Sequence, residues 1–257
     1  MKVIESLTDW FDERESLRGC EVGFVPTMGA LHAGHLSLLQ RSQTENDKTV
    51  LSIYVNPTQF NNTDDLKNYP DTLTDDLAQA ESLGVDYVLL PQYDAIYPDD
   101  FRYEIKEKKF SHQLCGAHRP GHFDGVLTVV MKLLNIVRPS RAYFGEKDYQ
   151  QFVLIRDMAA AFFLDVKIVA CPIMRESDGL AMSSRNLNLD AESRSKAPLV
   201  YQVMNAAKSD NDVVEVLVGN GFDVDYVSTI NNRRYVAASL RTAERGTVRP
   251  IDNMCIA

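Results

Sequence analysis

Five histidines occur in 257 residues, and two of them, His32 and His35, stand three apart within "GFVPTMGALHAGHLSLLQ", with Gly34 directly before the second. An apolar run ending at Pro26-Thr27 leads in and an amphipathic run leads out, so the pair sits at a strand-to-helix junction. Gly29 and Gly34 let the backbone turn tightly and approach a ligand closely. A helix opening near Gly34-His35 presents free N–H groups and the positive end of its dipole, which is a ready phosphate site. Two imidazoles there can donate hydrogen bonds to phosphate oxygens and offset the charge that builds up when a phosphorus centre is displaced. The plainer alternative is that both histidines only cap the helix.

Two further stretches point to the same chemistry. In "FGEKDYQQ", Lys147 and Asp148 follow an apolar strand and fall at its carboxyl end. Lys147 is a compact cation suited to phosphate oxygens, and Asp148 could accept from a ribose hydroxyl. Read alone, "GEKD" is also an ordinary charged turn. In "DGLAMSSRN", Ser183, Ser184 and Arg185 supply two hydroxyls and a fixed cation behind a glycine, the makings of a mobile phosphate clamp.

These groups need elements to hold them. Short runs rich in Val, Ile, Tyr and Phe ("EVGFVPT", "TVLSIYVN", "DYVLLP", "RAYFGEK", "DVKIVACPI") read as buried strands. Helix patterns lie between them: "HLSLLQRS", then "TDDLAQAESLG" with acids at its start and Gly84 at its stop, then "GVLTVVMKLLNIV", apolar almost all round and ending before Pro139. Strand–helix alternation implies a parallel sheet covered on both faces, with ligands at the carboxyl ends of its strands.

Later the texture changes. A helix pattern over "AESRSKAPLVYQVMNAAK" precedes "VVEVLVGNG", and the short alternating runs "FDVDYVSTI", "RRYVAAS" and "VRPIDNMCIA" follow. The fold class expected is therefore α/β, a Rossmann-like doubly wound parallel sheet over 1–175, with a small C-terminal α+β lid domain over 176–257.

A hydrophobic fraction of 45% and a charged fraction of 25% are those of an ordinary globular protein. The formal charge of −9 argues against a general nucleic-acid binder, though a few cations and amides suffice to hold a small anion. No apolar stretch approaches the roughly 20 residues of a membrane span, and the start lacks a signal-peptide core, so a cytoplasmic protein without membrane partners is expected. Cys20, Cys115, Cys171 and Cys255 are scattered without a C-x-x-C pair, which suits reduced thiols. His112, Cys115, His118 and His122 are spaced somewhat like a zinc site, but Gly, Arg and Pro interrupt them and no second cysteine pair closes it. They read as loop residues.

With these stretches in order, the chain resembles the pantothenate synthetase (pantoate–β-alanine ligase) family of the H-x-G-H nucleotidyltransferase superfamily. The matching segments are "PTMGALHAGH", "YVNPTQF", "YP" then "DDLAQ", "RPGHFDGVLTVVMKLLNIVRP", "FGEKDYQQ", "MRESDGLAMSSRN" and "VRPIDN". The C-terminal part looks shorter than is typical for the family. The resemblance implies a reaction in two steps: ATP and pantoate give pantoyl adenylate and pyrophosphate, and β-alanine then releases AMP and pantothenate.

It also implies roles. Met28, Gly29, Ala30, Leu31, His32, Ala33, Gly34 and His35 would line the ATP site, with His35 as proton donor and His32 beside it on the phosphates. Lys147 would hold the phosphates, and Gly145, Glu146 and Asp148 would contact the nucleoside. Met174 and the run Met182, Ser183, Ser184 and Arg185 would close over ATP. Gln59 and Gln151 would grip pantoate through amides that offer donor and acceptor without charge. Asn56 would stand beside them, and Gln59 would also meet β-alanine. Mg²⁺ would lie near Asp75, Asp76 and Gln79, although acids in a first helical turn are also what the helix dipole favours. Arg119 and His122 match the family pattern without an assigned role. The resemblance further implies a homodimer. The nearest rival is a nucleotidyltransferase of the same fold that adenylates a phosphate acceptor; it would have no need of Gln59 and Gln151 and would call for extra arginines in the acid pocket.

Overall fold

The structure is a computed structural model and describes residues 1–61, 63–243 and 246–256. The first part of the chain runs β1 (Lys2–Ile4), α1 (Leu7–Glu15), β2 (Val22–Thr27), α2 (Ala33–Glu45), β3 (Lys48–Ile53), α3 (Thr63–Lys67), α4 (Leu73–Ser82), β4 (Tyr87–Leu89), α5 (Tyr93–Ile96), α6 (Cys115–His118), α7 (His122–Val137), β5 (Arg141–Gly145), α8 (Tyr149–Ala161) and β6 (Lys167–Cys171). The five apolar runs become neighbouring parallel strands, and β1, too short for a periodic signal, adds an edge. The order is β1-β4-β3-β2-β5-β6. From β2 the chain runs outward through β3 and β4, where β1 adds the edge, and on the other side through β5 and β6, so the switch point lies between β2 and β5.

Register opens a crevice there. β2 pairs with β3 along its length, from Val22↔Lys48 to Thr27↔Ile53. Its pairing with β5 covers only Gly23↔Arg141 and Phe24↔Ala142. Pro26, which has no N–H to offer a ladder, lies beyond the last of these pairs. The carboxyl ends of the two strands therefore part.

Separate apolar clusters cover the two faces of the sheet, one containing Phe24, Val126, Leu127 and Ile155 and the other Val25, Leu39, Leu51 and Val88. Helix α7 is buried on most sides, as its unbroken apolar sequence requires. A side chain at Gly125 would strike the Thr58 carbonyl, so this glycine lets α7 press directly on the turn Pro57–Gln59.

The second part comprises α9 (Ala191–Lys196), α10 (Leu199–Ala206), α11 (Asp210–Gly219), β7 (Asp223–Ile230), β8 (Arg233–Thr242), β9 (Gly246–Val248) and β10 (Ile251–Cys255). Its strands form an antiparallel sheet, with β8 between β7 and β10 and pairing also with β9. The single helix pattern over 191–208 is in fact two helices that meet at Pro198. "VVEVLVG" is helical and starts from a capping box of Ser209 and Asp212. "VRPIDNMCIA" splits into two strands around Pro250.

Candidate active site

The histidine pair serves both as cap and as site. His32 is the N-cap of α2, its Nδ1 accepting from Gly34 N at 3.1 Å, while His35 Nδ1 accepts from His32 N at 3.4 Å. Each ring spends its Nδ1 on the backbone, which places the proton of the neutral ring on Nε2. The rings lie 4.1 Å apart, centroid to centroid. Burial lowers His35 to about 3, with neighbouring His32 adding to the effect. Burial and then the Lys147 charge lower His32 to about 4. At neutral pH both are uncharged and donate through Nε2–H. A Cβ at Gly34 would sit 2.8 Å from His32 Cε1, so only glycine lets the capping ring fold back.

The loop ahead of the pair is fixed from behind. Gly29 and Ala30 both have positive φ, +81° and +50°. The carboxylate of buried Asp76, on α4, accepts from Ala30 N at 2.8 Å, from Leu31 N at 2.7 Å and from Thr72 Oγ1 at 3.1 Å.

A cavity of about 240 Å³ opens at the parted ends of β2 and β5. Met28, His32, Gly34 and His35 line it from the loop and α2, and Gly145, Lys147 and Asp148 from the end of β5. Gln59 and Gln151 face it from the Pro57–Gln59 turn and from α8, and Met174, Met182, Ser183, Ser184 and Arg185 cover it. Sequence elements far apart are thus brought together. Beside it a wider cleft of about 860 Å³ reaches the antiparallel sheet and is lined by both signs of charge, Arg119, Lys147, Arg185 and Arg249 with Asp65, Asp148 and Asp252.

Not every expected residue faces this cavity. Gly29 and Glu146 do not line it; Glu146 turns toward Arg233, 3.8 Å away. Ala30, Leu31 and Ala33 line a separate cavity of about 310 Å³ with Asp75, Asp76 and Gln79. The last three, expected beside a cation, share this cavity. Asp75 is exposed, and Asp76 is 1% exposed, with its oxygens already accepting from Ala30, Leu31 and Thr72. Asp76 is a clasp on the loop. Asn56 touches the main cavity, but its amide is committed: Nδ2 donates to Gln59 Oε1 at 3.1 Å, and Oδ1 accepts from Tyr97 and Thr58. It positions Gln59.

Arg119 and His122, unassigned from sequence, do the same for the backbone of Gln59. His122 Nδ1 donates to Gln59 O at 2.8 Å, and its Nε2 accepts from Arg119 Nη1 at 3.1 Å. Burial and the adjacent guanidinium lower His122 to about 3, which keeps the neutral ring these bonds require. His122 thus points away from Cys115, whose Sγ accepts from Tyr226 and Arg249, and His118 lies 4.0 Å from Asp225. Among the described residues all four cysteines are free.

The antiparallel sheet braces the site in a way the sequence did not disclose. Asn253 Nδ2 donates to Glu146 O at 2.8 Å and Lys147 O at 2.9 Å, holding the lysine turn. Asp252 pairs with Arg175 through two bonds of 2.6 and 2.9 Å. The covering segment touches the loop through Ser184 Oγ, which donates to Ala30 O at 3.1 Å, and Arg185 pairs with Asp65 at 3.0 Å. For Asp252 and Asn253 the only signal was the motif "VRPIDN", which names no partner.

Fold and site together define an α/β protein built to hold a polyphosphate: paired neutral imidazoles at a helix start and a lysine across the switch point, under a serine–arginine cover. The Pantoate-beta-alanine ligase family model matches residues 1–255, and the chain belongs to that family. It is 54% identical to pantothenate synthetase of Bdellovibrio bacteriovorus over 91% of this chain and 92% of that one. Identity to the Coxiella burnetii pantothenate synthetase is 50%, over 98% and 96%. Among solved structures it is similar to a pantoate–β-alanine ligase of Francisella tularensis complexed with beta-gamma ATP and β-alanine, with TM-score 0.92, 39% identity and coverage of 99% of this chain and 97% of that one. Against that relative the C-terminal part is not abbreviated.

Proposed function

We propose that this protein condenses pantoate with β-alanine at the expense of ATP, giving pantothenate, AMP and pyrophosphate through pantoyl adenylate. The observation that carries the reading is the meeting, in one cavity, of His32, His35 and Lys147 with the uncharged amides of Gln59 and Gln151. In the first step a pantoate carboxylate oxygen bonds to the α-phosphorus, the bond to the β-phosphate breaks and pyrophosphate leaves. Nε2–H donors aimed at the phosphate oxygens strengthen as charge builds, and Lys147 and Arg185 balance the leaving group. In the second step the β-alanine amine bonds to the acyl carbon, the acyl–oxygen bond breaks, AMP departs and the amine gives up a proton. Positioning and charge stabilisation supply most of the rate.

Gln59 and Gln151 favour this acceptor over a phosphate ester, which would call for cations where the amides stand. Mg²⁺ is part of the proposal as a companion of the nucleotide's phosphates, where it keeps several waters, and not as an ion seated on Asp76. The two-part organisation, 1–175 and 176–257, is supported by the end of the parallel sheet at Cys171 and the start of the antiparallel one at Asp223. A cytoplasmic homodimer is also proposed. No helix among the described residues is long and apolar enough to cross a membrane, and sedimentation tests the dimer.

The deciding experiment withholds β-alanine and looks by mass spectrometry for pantoyl adenylate. Its accumulation with ATP and pantoate, and equal yields of AMP and pantothenate once β-alanine is added, are expected. Adenylation of a phosphate ester instead would establish the rival.

A further inference from the structure

Arg119, Lys147, Arg185 and Arg249 line the main cavity or the wider cleft beside it, and all but one are matched by an acid. Lys147 lies 3.7 Å from Asp148, Arg185 lies 3.0 Å from Asp65, and Arg249 pairs with Asp225. The remaining carboxylate of the cleft, Asp252, is taken by Arg175. Arg119 makes no ion pair among the described residues. It is half-buried and lines both cavities, so it stands on the wall they share. Its hydrogen bonds go to His122 Nε2 at 3.1 Å and Gln59 O at 3.3 Å, two uncharged groups. A guanidinium has five N–H donors and keeps its charge, so Arg119 has donors left over and no counter-charge. Burial and then the Arg185 charge lower its pKa, as they do for a cation whose balancing anion is elsewhere. Withholding a counter-charge from a half-buried cation is costly.

We propose that Arg119 is a substrate-binding residue that holds the carboxylate of β-alanine where the two cavities meet, leaving the amine free toward the acyl carbon. The inference rests on the proposed function and adds a seat which that reading leaves unassigned. The reaction brings three anionic groups to the site. The triphosphate has the imidazoles and Lys147. The pantoate carboxylate must meet the α-phosphorus, so a strong cation at the Gln59 end of the cavity would draw it the wrong way. The β-alanine carboxylate takes no part in bond making, and a fixed charge can grip it throughout. A planar guanidinium matches it with two parallel bonds. The tie from Arg119 to Gln59 O sets that charge beside an amide facing the acid pocket.

The test compares β-alanine with β-alaninamide, which keeps the amine and the length but has no charge at the far end. Both are assayed at saturating ATP and pantoate with the wild type, Arg119→Gln and Arg119→Lys. The wild type should favour β-alanine in kcat/KM by about 30-fold or more, as for hydrogen bonds to a charged group. Arg119→Gln should lose most of that preference, and Arg119→Lys, which keeps the charge without the fork, should fall between. Equal losses with both amines would reduce Arg119 to a support for Gln59 and overturn the proposal. A preference kept intact while the KM for ATP rises would give Arg119 to the phosphates and overturn it too. A wild type that uses both amines alike overturns it without any variant, so the idea stays open to refutation if the substitutions unfold the protein. Pantoyl adenylate formed by the wild type without any amine reports separately on the proposed function; its absence sinks that reading, whatever the amines do.

Discussion

The loop that presents the histidines and the segment that covers them are held by opposite kinds of bond. Ala30 and Leu31 are gripped by a buried carboxylate through their backbone N–H groups. Met182–Arg185 is held by a backbone bond from Met182 N to Met174 O, by one serine contact, by the Tyr69 ring under Arg185 and by an Arg185–Asp65 pair whose side chains are 33% and 38% exposed. Buried, backbone-directed bonds to a charge are short, strong and hard to exchange, whereas a half-buried ion pair at a cavity's rim is weaker and more open to substitution. The difference separates two duties. On the proposed function, donors that would be aimed before the nucleotide arrives are locked, and a cation that would take hold of it is left on a partner that phosphate can replace.

The comparison can be broken at three points. The largest effect is expected from His35→Ala, which removes both a donor and the ring that receives His32 N–H. AMP release should fall by roughly 10² or more with the fold intact, and a fall of less than tenfold would remove His35 from the chemistry. Next comes Asp76→Asn, which turns an amide toward backbone donors in a buried place. Denaturant titration should show a loss of about 2–4 kcal/mol, with activity reduced at saturating Mg²⁺ and the Mg²⁺ concentration for half-maximal rate unchanged. A shift in that concentration alone would make Asp76 an ion ligand after all. The smallest effect belongs to Asp65→Asn on the covering side. Stability should move by less than about 1 kcal/mol, and the KM for ATP should fall two- to threefold as Arg185 is released to the phosphates. A rise would show that the ion pair holds the cover in its working place.

What was legible in the sequence was local. Strand ends followed by glycine, histidine or lysine mark the carboxyl edge of a parallel sheet, so His32, His35 and Lys147 could be set in one crevice before any contact was known. The braces were not legible, because each joins distant residues of types that serve equally well on a surface. Asp76 reads as an ordinary first-turn acid until Ala30 and Leu31 are seen donating to it, and Asn253 reads as a strand residue until it meets the lysine turn. The Val-rich stretch of α11 carries no clear signal, since β-branched residues mildly disfavour helix. The burial of Val213 and Leu217, four apart, outweighs that preference. The break at Pro198 was written in the sequence and follows from its missing N–H.

Asn253 reaches Lys147 across 106 positions of the chain. The last strand of the chain is thereby stitched to the turn that carries the lysine, so the geometry at the mouth of the cavity depends on both sheets at once.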